Sequence, residues 1–357
     1  MQLPSSANLP VHKLVATFGN TSATYKFYWL LAIIESVEND LSVISKKELF
    51  AKMISNAWYT VNYFHVSFGK QDVIQNAVQE ILNIESLTID IKKHDLQRTL
   101  IRSENLNTLK LLNHFNKNVP HWFLSPWFKK SPTETDGNYK KRIYLESIHF
   151  NNDALYSLHD NYIEINPLWK TYLQNNGRIL KDFCFWNLAL FLQVRNPNVP
   201  DIPGKLFQPP FRGALQNQRK NYWDIIFKEL GSIECIFTNS KLTIDKYALD
   251  HFIPHAFVSH NLIWNLIPIN VNFNAFKSDK LPSVEQHFDK FYDLQKLAYG
   301  IIKDKNPQNK LLEEYLPIFP NINSPAGFEY DRYKENIQPL ITIARNNGFE
   351  HLDEFYI

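Results

Sequence analysis

Hydrophobic positions fall at helical spacing toward both ends of the chain and gather into short extended runs between them. Tyr25 to Ile34 is apolar almost all round, the pattern of a helix buried on every side. Asp72 is placed to cap a helix over Val73 to Leu82, where Val73, Ile74, Ala77, Val78 and Ile81 recur at helical spacing. A further helical pattern runs from Ser103 to about Asn116. Beyond Val119-Pro120 the texture changes, and Ser131 to Asn138 is loop chemistry ahead of the basic run Lys140-Lys141-Arg142. Leu155 to Ile165 reads as two short strands around His159-Asp160-Asn161, and Leu180 to Val194 as a buried helix. Arg195 to Gly204 is extended, because its prolines remove backbone donors and forbid a continuing helix.

The second half alternates differently. Ile233 to Phe237 is β-rich, Asn239-Ser240 suits a turn, and Tyr247-Ala248-Leu249 begins an extended stretch into Asp250-His251. Neighbours on a regular strand face opposite ways, so both of those side chains reach one site only where the strand ends or twists. Pro254 is consistent with such an end. Asn265 to Pro268 reads as a returning strand, and Asn270 or Asn272 is placed to cap a helix carrying Asn274 and Lys277. Ser283 and Gln286 have capping-box spacing, ahead of a helix with Phe288, Phe291, Leu294, Leu297, Ala298 and Ile301 on one side. The remainder is helical in pattern, with a Pro-rich break from Pro317 to Pro325.

Composition narrows the class. An apolar fraction of 44% and a charged fraction of 21% are globular values that argue against disorder. The net charge of +2 neither suggests nor excludes nucleic acid, since phosphate affinity depends on local clustering of Lys and Arg. One such cluster spans Arg195 to Lys228 and includes Arg212, Arg219 and Lys220 among interleaved aromatics, where it would contact phosphates without reading sequence. Ordinary core aromatics beside a solvated helix face account for the same pattern. The two cysteines, Cys184 and Cys235, are too few for a disulfide framework or a Cys-rich zinc site, and point to the reducing cytoplasm. No signal-peptide pattern opens the chain, and its longest apolar runs fall short of the roughly 18–20 residues that cross a bilayer, so no membrane partner is expected.

Phosphodiester hydrolysis needs an activated water, neutralised phosphorane-like charge and a stabilised leaving oxygen. Neutral imidazole can take a proton from water at cellular pH, which makes His251 the candidate general base. Asp250 and the Asn274 side-chain carbonyl are hard oxygen ligands suited to one Mg²⁺ or Mn²⁺ ion per site. Asn265 would orient the base, and Lys277, one helical turn after Asn274, would help neutralise phosphate charge. A zinc site from Cys235, His251, His255 and His260 is the rival metal reading, and it would make His251 a ligand rather than a base.

With these residues in view, Ile233 to Pro282 resembles an HNH (His-Me finger) endonuclease domain, in particular those of RNA-guided CRISPR effectors and restriction-like nucleases. Asp250-His251 matches the family's first motif pair, Asn265 its central Asn, Asn274 its final metal-ligand position, and Lys277-Ser278-Asp279 the tail after it. The resemblance implies metal ligand, general base, base-orienting residue and metal ligand in chain order. Paired Cys-x-x-Cys motifs are missing, so no structural zinc is expected, and the final position is Asn rather than His.

The resulting expectation is an α+β, predominantly α-helical fold with a ββα-metal nuclease unit embedded between helical regions. Its divisions are 1–175, a mainly helical region for targeting, a partner or regulation; 176–232, a buried helix and basic connector; 233–284, the nuclease unit; and 285–357, helices packing on it. The function expected is metal-dependent cleavage of nucleic acid, DNA favoured over RNA, in prokaryotic restriction or anti-phage defence. A protein partner or a second copy would engage the N-terminal region. The alternatives are a non-catalytic nucleic-acid-binding module, or a nuclease effector inactive until a partner binds.

Overall fold

The computed structural model describes residues 3–19, 21–207 and 213–352. The chain divides into two units, Met1–Pro197 with Ile202–Pro209, and Asn198–Asp201 with Pro210–Ile357. It is predominantly helical, 58% helix with few small strands. No helix among the described residues is long and apolar enough to cross a membrane.

The first unit contains α1 (Val11–Ala16), α2 (Tyr25–Glu38), β1 (Val43–Ser45), α3 (Lys46–Asn62), α4 (Val73–Ile84), α5 (Lys93–Arg102) and α6 (Leu106–His114). Then follow α7 (Val119–Phe123), α8 (Asp136–Ser147), β2 (Tyr156–Leu158), β3 (Tyr162–Ile165), α9 (Pro167–Arg195) and α10 (Gly204–Phe207). Phe27 to Ile34 of α2 are each at most 1% exposed, because α3 and α9 pack against this helix. Asp72 caps α4 as its position implied, accepting the Ile74 N–H at 3.0 Å, and its other oxygen accepts the Thr24 N–H at 2.6 Å. β2 and β3 form the expected pair, and β1 joins them to give the antiparallel order β1-β3-β2.

Helix α9 begins well before Leu180. Asn166 accepts the Leu168 N–H at 3.0 Å and Pro167 fills the first turn, so the helix starts there despite the polar stretch that follows. It runs unbroken through residues 175 and 176. At Gly177 an added Cβ would come within 2.7 Å of Glu38 Oε1, so a larger residue there would require the flexible Glu38 side chain at the end of α2 to move aside.

The second unit opens with one helical run, α11 (Gln216–Gln218), a π-turn over Arg219–Trp223, and α12 (Asp224–Leu230), stopped by Gly231 at φ 73°. β4 (Ile233–Glu234) pairs with β5 (Lys241–Leu242). The first strand is shorter than the β-rich run suggested, because the chain turns after Cys235, where the Asn239 N–H donates to the Cys235 carbonyl and Asn239 takes φ 54°. β6 (Ala248–His251) pairs antiparallel with β7 (Leu266–Ile269), setting Asp250 opposite Ile267 and His251 opposite Leu266. The short α13 (His255–Val258) lies between these strands in sequence. After β7 comes α14 (Val271–Lys277), capped by Asn270, whose side chain accepts the N–H groups of Asn272 and Phe273. α15 (Val284–Lys305) starts at Ser283, which accepts the Gln286 N–H, and α16 (Tyr330–Asn346) follows the Pro-rich break.

Candidate active site

Strand β6 ends at His251, and that end is where the polar residues collect. Pairing with β7 carries only to Leu266, after which the Phe252 N–H donates to the Asn265 carbonyl at 2.7 Å as the chain turns away. Asp250 and His251 are 2% and 1% exposed, so both face packed protein rather than one facing solvent.

Lys277 anchors the pair from α14. Its ammonium donates to Asp250 Oδ2 at 2.9 Å and to the His251 carbonyl at 2.8 Å, in a setting where both side chains are almost fully enclosed. A buried ion pair holds its geometry tightly, since either charge alone would be costly there. The Lys277 ammonium is thus a strut between α14 and β6 rather than a charge on the surface.

The imidazole of His251 is held from the loop. Its Nε2 lies 3.0 Å from Asn261 Oδ1. That amide oxygen only accepts, so the neutral ring carries its proton on Nε2 and its lone pair on Nδ1. The His255 ring packs edge-on at 5.2 Å between centroids. Asn261 itself is fixed through its backbone, whose carbonyl accepts from Gln218 Nε2 at 3.2 Å.

Asn265, fully buried, directs both ends of its amide to the backbone of Ile253. Oδ1 accepts the Ile253 N–H at 2.8 Å and Nδ2 donates to the Ile253 carbonyl at 2.8 Å. This closes the turn that follows His251, so Asn265 bears on the base through the loop. Asn274 sits half-buried on α14, one turn before Lys277, and therefore on the face that meets β6. Its side chain has no hydrogen bond among the described residues, and neither does Asp250 Oδ1.

Those two oxygens bear on whether a metal fits. One oxygen of Asp250 is taken by Lys277, and the other oxygen and the Asn274 side-chain carbonyl are the hard donors that remain without a hydrogen bond among the described residues. Two protein oxygens are enough for Mg²⁺, which keeps several waters. Among the described residues there is no group of three or more His, Cys, Asp or Glu that could hold a metal, so Cys235 and the histidines form no such cluster. Cys235 is buried and turns its N–H to the Ser240 carbonyl at 2.9 Å.

The C-terminal helices buttress the returning strand with a polar network that single-residue patterns do not reveal. Gln295 of α15 donates to the Leu266 carbonyl at 2.8 Å and accepts from the Tyr315 hydroxyl, which pairs with Tyr222 at 2.9 Å. The Tyr333 hydroxyl donates to the Trp264 carbonyl. Glu314 accepts the Ile263 N–H at 2.6 Å, and burial pushes its carboxyl above the ordinary value. All of these grip the segment carrying Asn265.

The basic stripe separates on inspection. The Arg219 guanidinium donates to the carbonyls of Ile244 and Tyr247, each at 3.3 Å, and stacks 4.0 Å from the Tyr247 ring, holding the approach to β6. Lys220 is exposed. Arg212 lies outside the described residues.

Residues 235–283, which contain this strand end and α14, match the HNH endonuclease family. No curated protein and no solved structure gives a match. The match implies nuclease and hence hydrolase activity, a nucleic-acid substrate, and the divalent metal such nucleases typically use.

Proposed function

We propose that the second unit is a metal-dependent endonuclease, cutting DNA rather than RNA, with His251 as general base. One observation carries this reading. The reading is supported by the segment that matches the nuclease family, in which Lys277 of α14 bonds Asp250 Oδ2 and the His251 carbonyl at the end of β6, on the same short helix as Asn274.

In this mechanism His251 Nδ1 accepts a proton from the water that attacks phosphorus, while Asn261 holds Nε2–H and so keeps the lone pair on the correct nitrogen. The new P–O bond forms as the bond to the 3′ oxygen breaks, and that oxygen leaves with a proton from solvent. Asp250 and Asn274 would hold Mg²⁺ or Mn²⁺, which when bound neutralises charge on the phosphate and the leaving oxygen. Lys277 holds the Asp250 carboxylate in place through its hydrogen bond to Oδ2, and Asn265 shapes the turn that carries the base. Lys220 and Arg212 would add non-specific phosphate contacts. The first unit would choose the target or receive a partner or second copy, as restriction or anti-phage defence requires.

A metal titration over supercoiled plasmid, linear duplex, single-stranded DNA and RNA tests this. Cleavage of DNA with Mg²⁺ or Mn²⁺, abolished by EDTA and weakened at least about tenfold in Asn274→Ala, is the expected result. Salt-sensitive binding without cleavage under any metal, unchanged in Asn274→Ala, would replace the enzyme with a binding module. Cutting confined to RNA would reverse the substrate assignment.

A further inference from the structure

A helical run just upstream of the matched segment grips the candidate active site at two points. It comprises α11, the π-turn over Arg219–Trp223 and α12, and it ends before residue 235, where the family match begins. Gln218 closes α11 and Arg219 opens the π-turn, so the two are consecutive. Consecutive helical side chains diverge by about 100°, which lets this pair reach two different segments.

Gln218 reaches the loop that holds the base. Its Nε2 donates to the Asn261 carbonyl at 3.2 Å, and Asn261 Oδ1 lies 3.0 Å from His251 Nε2. The chain entering α11 lies against the same amide, since a Cβ added at Gly213 would come within 3.4 Å of Asn261 Nδ2. Asn265, which spacing suggests as the partner of the base, gives its own amide to the Ile253 backbone. The ring therefore leans on Asn261, and the Asn261 backbone leans on Gln218.

Arg219 reaches the start of the strand. Its guanidinium donates to the carbonyls of Ile244 and Tyr247, each at 3.3 Å, a span that suits a planar fork better than a point-like ammonium. The same helical run holds Tyr247 twice more, its hydroxyl donating to Asp224 Oδ1 at 2.8 Å and its ring packing on Phe227 at 4.5 Å between centroids. Ala248, the next residue, begins β6, and β6 ends at His251. Single π-turns inside helices are frequent at functional sites, and this one carries both contacts at its entrance.

We propose that Gln218 and Arg219 are positioning residues for phosphodiester cleavage. Gln218 sets the His251 ring through Asn261, and Arg219 sets the course of β6. This rests on the nuclease reading and carries its machinery upstream of the matched residues, to side chains that touch no reacting atom.

Nicking kinetics and the imidazole ¹⁵N spectrum of the full chain test it together. In Gln218→Glu, which keeps the shape and loses the N–H, kcat should fall about tenfold at unchanged KM and unchanged melting temperature. Gln218→Lys, which still donates, should recover most of the rate, and Arg219→Lys should lose about as much as Gln218→Glu. The nitrogen spectrum, with His251→Ala identifying the His251 signals, should show one neutral tautomer protonated on Nε2 in the wild type and a mixture in Gln218→Glu. Wild-type kcat with a single tautomer in Gln218→Glu would overturn the role of Gln218, and wild-type kcat in Arg219→Lys that of Arg219. A loss that Gln218→Lys does not recover, accompanied by a lower melting temperature, would make the contact structural only and overturn the proposal as well. A wild type that cuts nothing under any metal would remove the nuclease reading instead, and the spectra alone would then decide whether Gln218 sets the ring.

Discussion

In the first unit, several buried polar side chains sit in ones and twos, finishing a helix or joining neighbouring segments. Asp72 caps α4 and takes the Thr24 N–H, Lys52 meets Ser36 and Glu48, and the Ser147 hydroxyl accepts the Leu158 N–H. In the second unit Asp250, His251, Asn265 and Lys277, none more than 2% exposed, gather at the end of a single strand. A buried ion pair gives little or no net stability over apolar residues of the same volume. Scattered buried polarity is therefore explained by folding, whereas this concentration calls for a chemical reason. The comparison separates two kinds of buried polar group by what surrounds them.

Lys277→Ala should sharpen that distinction most. It strands Asp250 without its cation, and denaturant unfolding should report a loss of about 3–5 kcal/mol. The double variant Asp250→Leu with Lys277→Met should recover most of that stability while cleavage stays absent. Recovery of both would mean that the pair serves the fold alone.

The first unit should respond instead to acid. Burial, with Lys140 nearby, pushes the His121 imidazole down from 6.5 to about 4, so the fold accepts the neutral ring and resists its protonation. Stability from this group is full above the unfolded value and is lost as pH falls from about 6.5 toward 4, on the order of 2–3 kcal/mol. Thermal melts of His121→Phe across that window should show a flatter dependence than the wild type. Identical slopes would remove His121 as the sensitive group.

The smallest effect belongs to the basic stripe. Lys220→Gln should lower the slope of log affinity against log salt by about one and leave catalysis at saturation unchanged. An unchanged slope would take Lys220 out of the phosphate contacts.

Much of the framework was legible because local rules decide it. Asp72, Asn270 and Ser283 cap helices where their positions said they would, and the all-round apolar run lies in a helix whose Phe27 to Ile34 are buried on all sides while Tyr25 and Lys26 are half-buried. The start of α9 was not legible, because its first turns are polar on the outside and only Asn166-Pro167 marks the true beginning. At the candidate site the spacing of Asp250, His251, Asn265 and Asn274 pointed to the strand pair and helix. What it did not carry is which atoms meet. Lys277 looks like a phosphate contact when read as a charge one turn after Asn274, and only its enclosure against Asp250 gives it another partner. Asn265 reads as a direct partner for the base, yet its amide is given to the Ile253 backbone. Asn261 sits in a turn-forming stretch, Ser259-His260-Asn261, and nothing in that composition foretells a contact with His251 ten residues earlier. Such pairings depend on tertiary closure, here enforced by Gln295, Tyr315 and Tyr333 from well beyond the motif.

The central claim is that His251 takes the proton from the attacking water. The most direct measurement is the time course of supercoiled-plasmid nicking by the full chain in Mg²⁺, wild type beside His251→Ala, with circular dichroism confirming that both are folded. The account predicts a rate lower by about a hundredfold to ten-thousandfold in the variant. Equal rates in two folded proteins would contradict it.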